Sequence, residues 1–313
     1  MTRSLAGGLA LLALAAAPVP AQRTPVFQVG LDLVNVTVTV RDGRGGLVSD
    51  LAAEDFVVRE DGRPQKVEVF APASAPGQRE ELALNLGMLF DTSESMRKDL
   101  RLSQESAIRF LEAIPRARDL LLIFFDRDIR ISRYSSENQQ GIFGRILETQ
   151  GQGYTALHDA IAVYVSRVAD TPGRKVLVIF TDGDDTTSQV PPQEVQRLVR
   201  STDVVVYPVA FPGETRPNSA EALRARSFLY SLAELSGGRV FQPTASRELA
   251  AIYQSILDEL GTQYVLGYVS DNPKRDGRFR RITVQTTRPG LKLRHRPGYS
   301  APKDEPPPAP KRK

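Results

Sequence analysis

The sequence predicts an α/β protein: a doubly wound, Rossmann-like domain with a mostly parallel sheet, flanked by a β-sandwich built from strands at the two ends of the chain. Two observations predict this fold class. In the middle of the 313-residue chain, short apolar runs alternate with amphipathic helical segments, as in parallel sheets covered by helices on both faces. Toward both ends of the chain, every second residue is apolar and the residues between are polar. This two-residue period indicates strands with one buried face.

The N-terminal part of the chain predicts three strands. The alternation of apolar and polar residues over 31–40 indicates the first strand. Segments 56–59 and 67–70 are predicted to pair as a hairpin, because the Asp61-Gly62 dipeptide between them is typical of a tight turn. The segment at 71–77, rich in Pro and Ala, is predicted to be a linker.

The central region, residues 80–262, carries the alternation of strands and helices. We predict strands at 84–91, 119–126, 129–134, 174–181 and 203–210, and a short strand at 238–242. We predict helices at about 97–114, 155–170, 192–201, 219–236 and 246–261. Most of these strands are short and apolar along their whole length, which favours burial on both faces of the sheet.

Three further alternating segments follow, at 264–269, 279–285 and 291–295. Sheets of two or three strands need a packing partner to hold a core. We therefore expect the N- and C-terminal strands to pair in one sandwich, with the α/β domain inserted between them. Two separate sheets docked on the α/β domain would give the same pattern, and the sequence leaves this alternative open.

The chain therefore divides into five predicted segments. They are a signal peptide at 1–21, an N-terminal β-strand segment at 22–76, the α/β domain at 80–262, a C-terminal β-strand segment at 263–300 that pairs with the first, and a Pro-rich, charged tail at 301–313. The tail has no core residues and is predicted to be disordered.

The first residues predict export. Arg3 precedes an apolar stretch from Leu5 to Ala17, and small residues up to Ala21 offer a cleavage site, which is the pattern of a secretory signal. The stretch is shorter than the ~20 apolar residues that span a bilayer. We predict an exported protein, periplasmic or secreted to the cell surface, with no integral membrane span after cleavage. An uncleaved membrane anchor is the alternative.

Short oxygen-bearing side chains stand where predicted strands end or helices begin. Asp91, Ser93 and Ser95 follow the strand at 84–91, Thr155 precedes a helix, and Asp182 follows another strand. The carboxyl ends of parallel strands meet at one edge of a sheet, so these side chains are expected to lie close together. Oxygen ligands without His or Cys suit Mg2+, with Mn2+ and Ca2+ as alternatives.

Each of these segments has a simpler interpretation when taken alone. The Asp-Thr-Ser-Glu-Ser run at 91–95 could cap a helix, and Thr181-Asp-Gly at 181–183 could be a strand-ending turn. The Gly-rich segment at 151–155 could only begin a helix. Their occurrence together, on three loops of one α/β pattern, favours the metal site.

This combination resembles the von Willebrand factor A domain family, whose metal-ion-dependent adhesion site is Asp-x-Ser-x-Ser with a distant Thr and a distant Asp. The resemblance covers roughly Leu82 to Gly261 and implies a site formed by Asp91, Ser93, Ser95, Thr155 and Asp182. It implies that the hydroxyls touch the ion, that the aspartates act largely through water, and that a ligand carboxylate completes the coordination. The architecture as a whole resembles exported bacterial proteins described as VWFA-related.

Three residues are predicted to line the rim of this site. Glu94 stands where the family often has Gly, and Tyr154 and Asp184 neighbour the predicted ligands. Asp184 is also one of two candidate bases beside the ion, so metal-assisted hydrolysis is an alternative. The sequence contains none of the common zinc-protease, hydrolase-elbow or phosphate-loop motifs and no Cys, and we predict that the protein is not an enzyme.

The net charge of +4 is small for this length, although the pI is about 9.3. Basic residues concentrate toward the C-terminus, where they are expected to solvate strands and a tail, and we predict no nucleic-acid partner. The predicted partner is a protein that presents an acidic side chain to the ion. The alternative is a structural envelope protein, in which the metal only stabilises the fold and the sandwich binds partners.

Overall fold

The computed structural model describes residues 33–72, 84–113, 119–134, 139–213, 218–243 and 246–303. The predicted signal peptide, and most of the predicted linker and tail, lie outside these ranges. None of the helices in the described ranges is long and apolar enough to cross a membrane.

A five-stranded sheet forms the centre of the α/β domain, in the order β7-β6-β5-β8-β9. The strands are β5 (Leu84–Asp91), β6 (Asp119–Phe125), β7 (Ile129–Tyr134), β8 (Arg174–Thr181) and β9 (Val205–Ala210). All pairs are parallel except the edge pair of β6 and β7. The predicted doubly wound, mostly parallel sheet is therefore confirmed.

Helices cover both faces of this sheet. They are α1 (Leu100–Ala113), α2 (Gln139–Leu147), α3 (Leu157–Val168), α4 (Pro192–Arg200), α5 (Ala220–Ser236) and α6 (Ser246–Thr262). Phe90 belongs to the core with α1, α2 and α6, and its neighbour Leu89 belongs to the core with α3, α4 and α5. Successive residues of a strand face opposite sides, so this strand is buried by both layers.

Two four-stranded antiparallel sheets form the sandwich, in the orders β12-β1-β10-β4 and β13-β11-β2-β3. The strands are β1 (Leu33–Arg41), β2 (Phe56–Glu60), β3 (Arg63–Gln65), β4 (Val67–Pro72), β10 (Tyr264–Val269), β11 (Phe279–Thr286), β12 (Lys292–Arg294) and β13 (Gly298–Ser300). Strand β1 pairs with β10 and β12, and β2 pairs with β11. Each sheet therefore combines strands from both ends of the chain, around a shared core.

The predicted pairing of segment 56–59 with segment 67–70 is wrong, although a hairpin does form at this turn. The turn at Asp61 and Gly62 forms, and both residues have positive φ angles of 47° and 83°, as a primed hairpin turn requires. However, β2 pairs across this turn with the short strand β3. Strand β4 crosses to the other sheet and pairs with β10, because the polar segment at 63–66 already completes the hairpin.

The structure also differs from the predicted elements of the α/β domain. Helix α2 was not predicted, because Gly141 and Gly144 interrupt its short apolar pattern. The predicted strand at 238–242 is reduced to a single parallel bridge between Phe241 and Val209. Its first residue, Gly238, lies so close to β9 that an added Cβ would stand 1.9 Å from the Val206 carbonyl oxygen.

Polar contacts join the sandwich to the α/β domain. Arg296, which is only 7% exposed, donates to the backbone oxygens of Thr202 and Asn35, both at 2.6 Å. The side-chain amide of Asn35, in β1, donates to an Asp203 carboxylate oxygen at 3.4 Å, and Asp203 also pairs with Lys175 of β8 at 2.7 Å. Buried charged groups of this kind are stable only when they are paired or hydrogen-bonded, so the two sheet systems are held in one arrangement.

Candidate metal site

The loop after β5 carries the first part of the predicted site. Asp91 is completely buried and Ser93 is 1% exposed. The Ser93 backbone N–H donates to the Asp91 Oδ1 at 3.0 Å, and the hydroxyl oxygens of Ser93 and Ser95 lie 3.1 Å apart. The Ser93 side chain makes no capping bond to the 3-10 turn that it begins, so the helix-cap interpretation is not supported.

Strand β8 places a second group against Asp91. Because β5 and β8 are parallel and Phe90 pairs with Phe180, the residues that follow these two phenylalanines stand side by side. Thr181 donates its hydroxyl to the Asp91 Oδ2 at 2.6 Å, and the same hydroxyl oxygen accepts the Gly183 N–H at 2.9 Å. Both carboxylate oxygens of Asp91 are thus fixed in direction.

Asp182, the predicted ligand that follows β8, adds a second negative charge beside Asp91. Its Oδ1 accepts the Asp184 N–H at 3.2 Å. Its Oδ2 is buried and has no hydrogen-bond partner among the described residues. Burial, and then repulsion from Asp182, raise the pKa of Asp91 to about 7, so the two carboxylates lie close enough to repel each other.

Backbone hydrogen bonds tie the Thr155 loop to the two strand-end loops. The Gln152 N–H donates to the Thr92 oxygen at 2.8 Å, and the Glu94 N–H donates to the Gly153 oxygen at 3.2 Å. On the other side, the Thr155 N–H donates to the Thr186 hydroxyl at 2.9 Å. The side chain of Thr155 is buried within this junction, so all five predicted ligands stand on three directly joined loops.

The three predicted rim residues have different surroundings. Glu94 points to solvent and pairs with Arg97 at 2.8 Å, whereas Tyr154 is 62% exposed. Asp184 lines a cavity of about 310 Å³. Its pKa is raised to about 6 by burial and by repulsion from Asp182 and Glu221.

The residues present fit a hard divalent cation. The set offers two carboxylates and three hydroxyls, which are donors that Mg2+ accepts. A buried carboxylate oxygen without a partner is costly, and a cation would satisfy the Asp182 Oδ2 and offset the charge next to Asp91. Within the described ranges, no group of three or more His, Cys, Asp and Glu side chains could hold a metal ion.

Sequence reasoning missed several groups that support this site. Thr181 was treated only as the end of a strand, although it holds Asp91. Asp126 also escaped notice: it accepts the Thr92 hydroxyl at 3.0 Å and pairs with Arg130 at 2.6 Å, and these bonds lower its pKa against the effect of burial. The available signal was its position after β6, directly beside β5, but the order of strands is needed to use it.

Comparison with known families agrees with this fold. The description of the von Willebrand factor type A domain matches residues 85–255, which is more than half of the chain. The chain therefore belongs to the von Willebrand factor type A domain family, whose members are commonly metal-dependent protein-interaction modules. No curated protein matches the chain.

Solved structures with a similar fold come from distant sources. A von Willebrand factor type A protein from Catenulispora acidiphila is 11% identical, with a TM-score of 0.48, over 90% of this chain and 77% of that one. An aerotolerance-related membrane protein from Bacteroides fragilis is 14% identical, with a TM-score of 0.46, over 57% and 98%. Proximal thread matrix protein 1 from the mussel byssus, with a zinc-occupied MIDAS motif, is 16% identical, with a TM-score of 0.47, over 64% and 49%. Similarity at this level carries no inference about what this chain binds.

Proposed function

We propose that this protein is a non-enzymatic module that captures an acidic side chain of a partner protein through a divalent cation, Mg2+ in the first place. Ser93, Ser95 and Thr155 would hold the ion with their hydroxyls, and Asp91 and Asp182 would supply the negative charge around it. The bound cation would provide a coordination position for a partner Asp or Glu carboxylate.

The observation that carries this proposal is the unbalanced pair of carboxylates. Asp91 is fully buried, and the Asp182 Oδ2 is buried without a partner among the described residues. A buried carboxylate beside a second, half-buried carboxylate is destabilised unless a cation or a proton is present. The Thr181 hydroxyl and the Ser93 N–H orient Asp91, so groups of the protein itself set the direction of this carboxylate.

One of the two candidate bases beside the site, Asp185, is poorly placed for catalysis. Asp185 accepts the His158 N–H at 2.9 Å and the Ser188 hydroxyl at 2.6 Å. These bonds bind Asp185 to the local loop, so it is poorly placed to act as a general base. His158 packs against Phe228 with ring centroids 4.4 Å apart, and its Nδ1 lies 3.5 Å from the Asp185 Oδ2, so its ring is held between these two side chains.

The proposal extends to the chain as a whole. We propose that residues 1–21 are a signal for export to the periplasm or cell surface. The segments 22–76 and 263–300 would act as one support for the metal-binding domain at 80–262. The pairing of β1 with β10 and of β2 with β11 supports this division.

The first test concerns the ion. Millimolar Mg2+ should raise the Tm of the full chain, since a ligand selective for the folded state stabilises it by about 2.7 kcal/mol at a hundredfold excess over Kd. Asp91→Ala and Asp182→Ala should abolish the rise. Glu94→Gln, a change of charge on the same loop but on an exposed side chain, should keep it. An equal rise in all variants would contradict the site.

The second test separates partner capture from a purely structural ion. Proteins retained from an envelope extract by the immobilised chain in Mg2+ should be released by chelator, and Asp91→Ala should not retain them. A soluble carboxylate at high concentration should compete with them. If the ion raises the Tm but the retained proteins are the same with Mg2+ and with chelator, the metal only stabilises the fold and the sandwich is the binding surface.

A further inference from the structure

Away from the metal site, three arginines form ion pairs with one buried carboxylate. Glu259, on α6, is fully buried and faces the end of β1 and strand β12. Its Oε1 lies 2.7 Å from the Arg41 Nη2 and 2.9 Å from the Arg239 Nε. Its Oε2 accepts the Arg294 Nη2. The carboxylate therefore lies at the meeting point of the α/β domain and the sandwich.

The strand register adds a fourth cation. In the antiparallel pair of β1 and β12, Lys292 stands opposite Arg41, and Arg294 stands opposite Thr39. Directly opposite residues, and residues two apart on one strand, share a face of the sheet. Lys292 therefore lies on the same face as the arginines. It is exposed and forms no ion pair with any described residue.

The four cations are not balanced by the acids around them. Among the described residues, Glu259 is the only carboxylate within ion-pair distance of the three arginines. The neighbouring Asp42 accepts the backbone N–H groups of its own turn, and Asp258 accepts the Gln254 amide. The cluster thus carries four positive charges and one negative charge.

The arginines also remain accessible. Their side chains are 31%, 35% and 28% exposed for Arg41, Arg239 and Arg294, although Glu259 beneath them is buried. Burial lowers the pKa of Arg239, and although the Glu259 carboxylate opposes this shift, repulsion from Arg294 and Arg41 adds to it. The outer sides of the guanidinium groups thus face solvent in a field that favours an anion.

We infer that Arg41, Arg239, Lys292 and Arg294 form a binding site for a phosphate-type oxyanion. Guanidinium groups match the oxygens of phosphate with paired N–H donors, and a lysine adds a mobile point charge. A dianion offsets most of the excess charge, which a single carboxylate cannot do. This site stands apart from the metal-binding loops and does not depend on the proposed function.

Inorganic phosphate is the probe for this site. With metal-free full-length protein, phosphate should raise the Tm above the value in chloride of equal ionic strength, and calorimetry should measure its Kd. Lys292→Gln should weaken binding about threefold, because it removes an exposed and partly screened point charge, and Arg294→Gln about tenfold, because it removes paired charge-assisted hydrogen bonds. Lys66→Gln removes the same charge from an exposed site on the sandwich and should leave the Kd unchanged.

A second experiment distinguishes a lipid phosphate from a soluble one. Flotation with vesicles containing phosphatidic acid, compared with neutral phosphatidylcholine vesicles, tests a lipid headgroup. If the protein binds the phosphatidic acid vesicles and Lys292→Gln weakens that binding, the site takes a lipid phosphate. If the protein binds inorganic phosphate but not the vesicles, the site takes a soluble phosphate. Because Lys292 has no described partner, its variant should fold even if Arg294→Gln does not. An equal Kd for wild type, Lys292→Gln and Lys66→Gln, or no binding of either probe, would overturn the inference.

Discussion

At the scale of single residues, the hydrogen bonds of both ring nitrogens hold His295 in one protonation state. The Val284 N–H donates to the Nε2 at 3.2 Å, and the Nδ1 lies 2.7 Å from the Arg296 carbonyl oxygen. The Nε2 must therefore accept and the Nδ1 must donate, which is the neutral imidazole. Burial, together with the positive charge of Arg296, lowers the pKa of His295 below its ordinary value of 6.5. A second proton, on the Nε2, would also face the Val284 N–H donor.

This gives a prediction about pH. The unfolded chain takes up the His295 proton near pH 6.5, whereas the folded chain resists it, so stability from this group is present above pH 6.5 and is lost as pH falls toward the lowered pKa. In an NMR titration of the two imidazoles, the His295 resonance should titrate below pH 6.5. His295→Asn should show a smaller loss of stability than wild type between pH 7.5 and 5.5 in urea unfolding. A resonance that titrates at or above 6.5 would contradict the bonding pattern.

At the scale of elements, β5 and α3 fit together only because β5 has no side chain at one position. A Cβ at Gly87 would lie 2.1 Å from the ring of Tyr164. The Tyr164 hydroxyl passes through this gap to donate to the Val176 carbonyl oxygen at 3.0 Å. The contact fixes the helix that begins just after Thr155, so it also positions one loop of the metal site.

Two glycine substitutions should therefore act in opposite directions. Gly87→Ala should lower the free energy of unfolding by about 1–3 kcal/mol, since overpacking of a filled core forces side chains aside. Gly144→Ala in α2 meets open space and should raise it by about 0.5–1 kcal/mol, because alanine favours the helix. Chemical denaturation of both variants checks this. Equal effects of the same sign would show that the gap under Tyr164 is not tight.

The elements that could be predicted from the sequence are those with a strong local period. Strands β5 and β8 begin and end where predicted, since their apolar runs are bounded by polar residues. The partner of β2 could not be predicted, because Arg63–Gln65 is polar and resembles a turn. The loops with the site residues could be predicted from the strand ends. The hydrogen bond from Thr181 to Asp91 could not, because it depends on β8 lying next to β5, and no local sequence pattern contains the order of strands.

At the scale of the whole molecule, the sandwich depends on strands from both ends of the chain. Strand β10 lies between β1 and β4, and β11 lies beside β2. Glu60, at the end of β2, is 3% exposed and accepts the hydroxyls of Tyr268 at 2.8 Å and Ser270 at 2.6 Å. Without the C-terminal strands, this carboxylate would lose these partners.

Removal of residues 263–313 should therefore destroy the N-terminal strands as well. The remaining strands would keep only the β2–β3 hairpin and expose an apolar sheet face, which promotes aggregation. The fragment 80–262 should be the better behaved of the two. A soluble fragment 22–262, with its first strand as protected from hydrogen exchange as in the full chain, would contradict this dependence.

The distance along the chain between paired strands also sets an order of assembly. Glu60 and its partner Ser270 are 210 residues apart, whereas the central sheet is completed by segments that follow one another more closely. Pairings between distant segments form late and slowly, and the exposed edges meanwhile favour wrong contacts. As synthesis proceeds from the N-terminus, β1 to β4 are made before the central domain, but their pairing partners among β10 to β12 are made only at the end. The first residues to appear are thus among the last to fold, and they need protection throughout that interval.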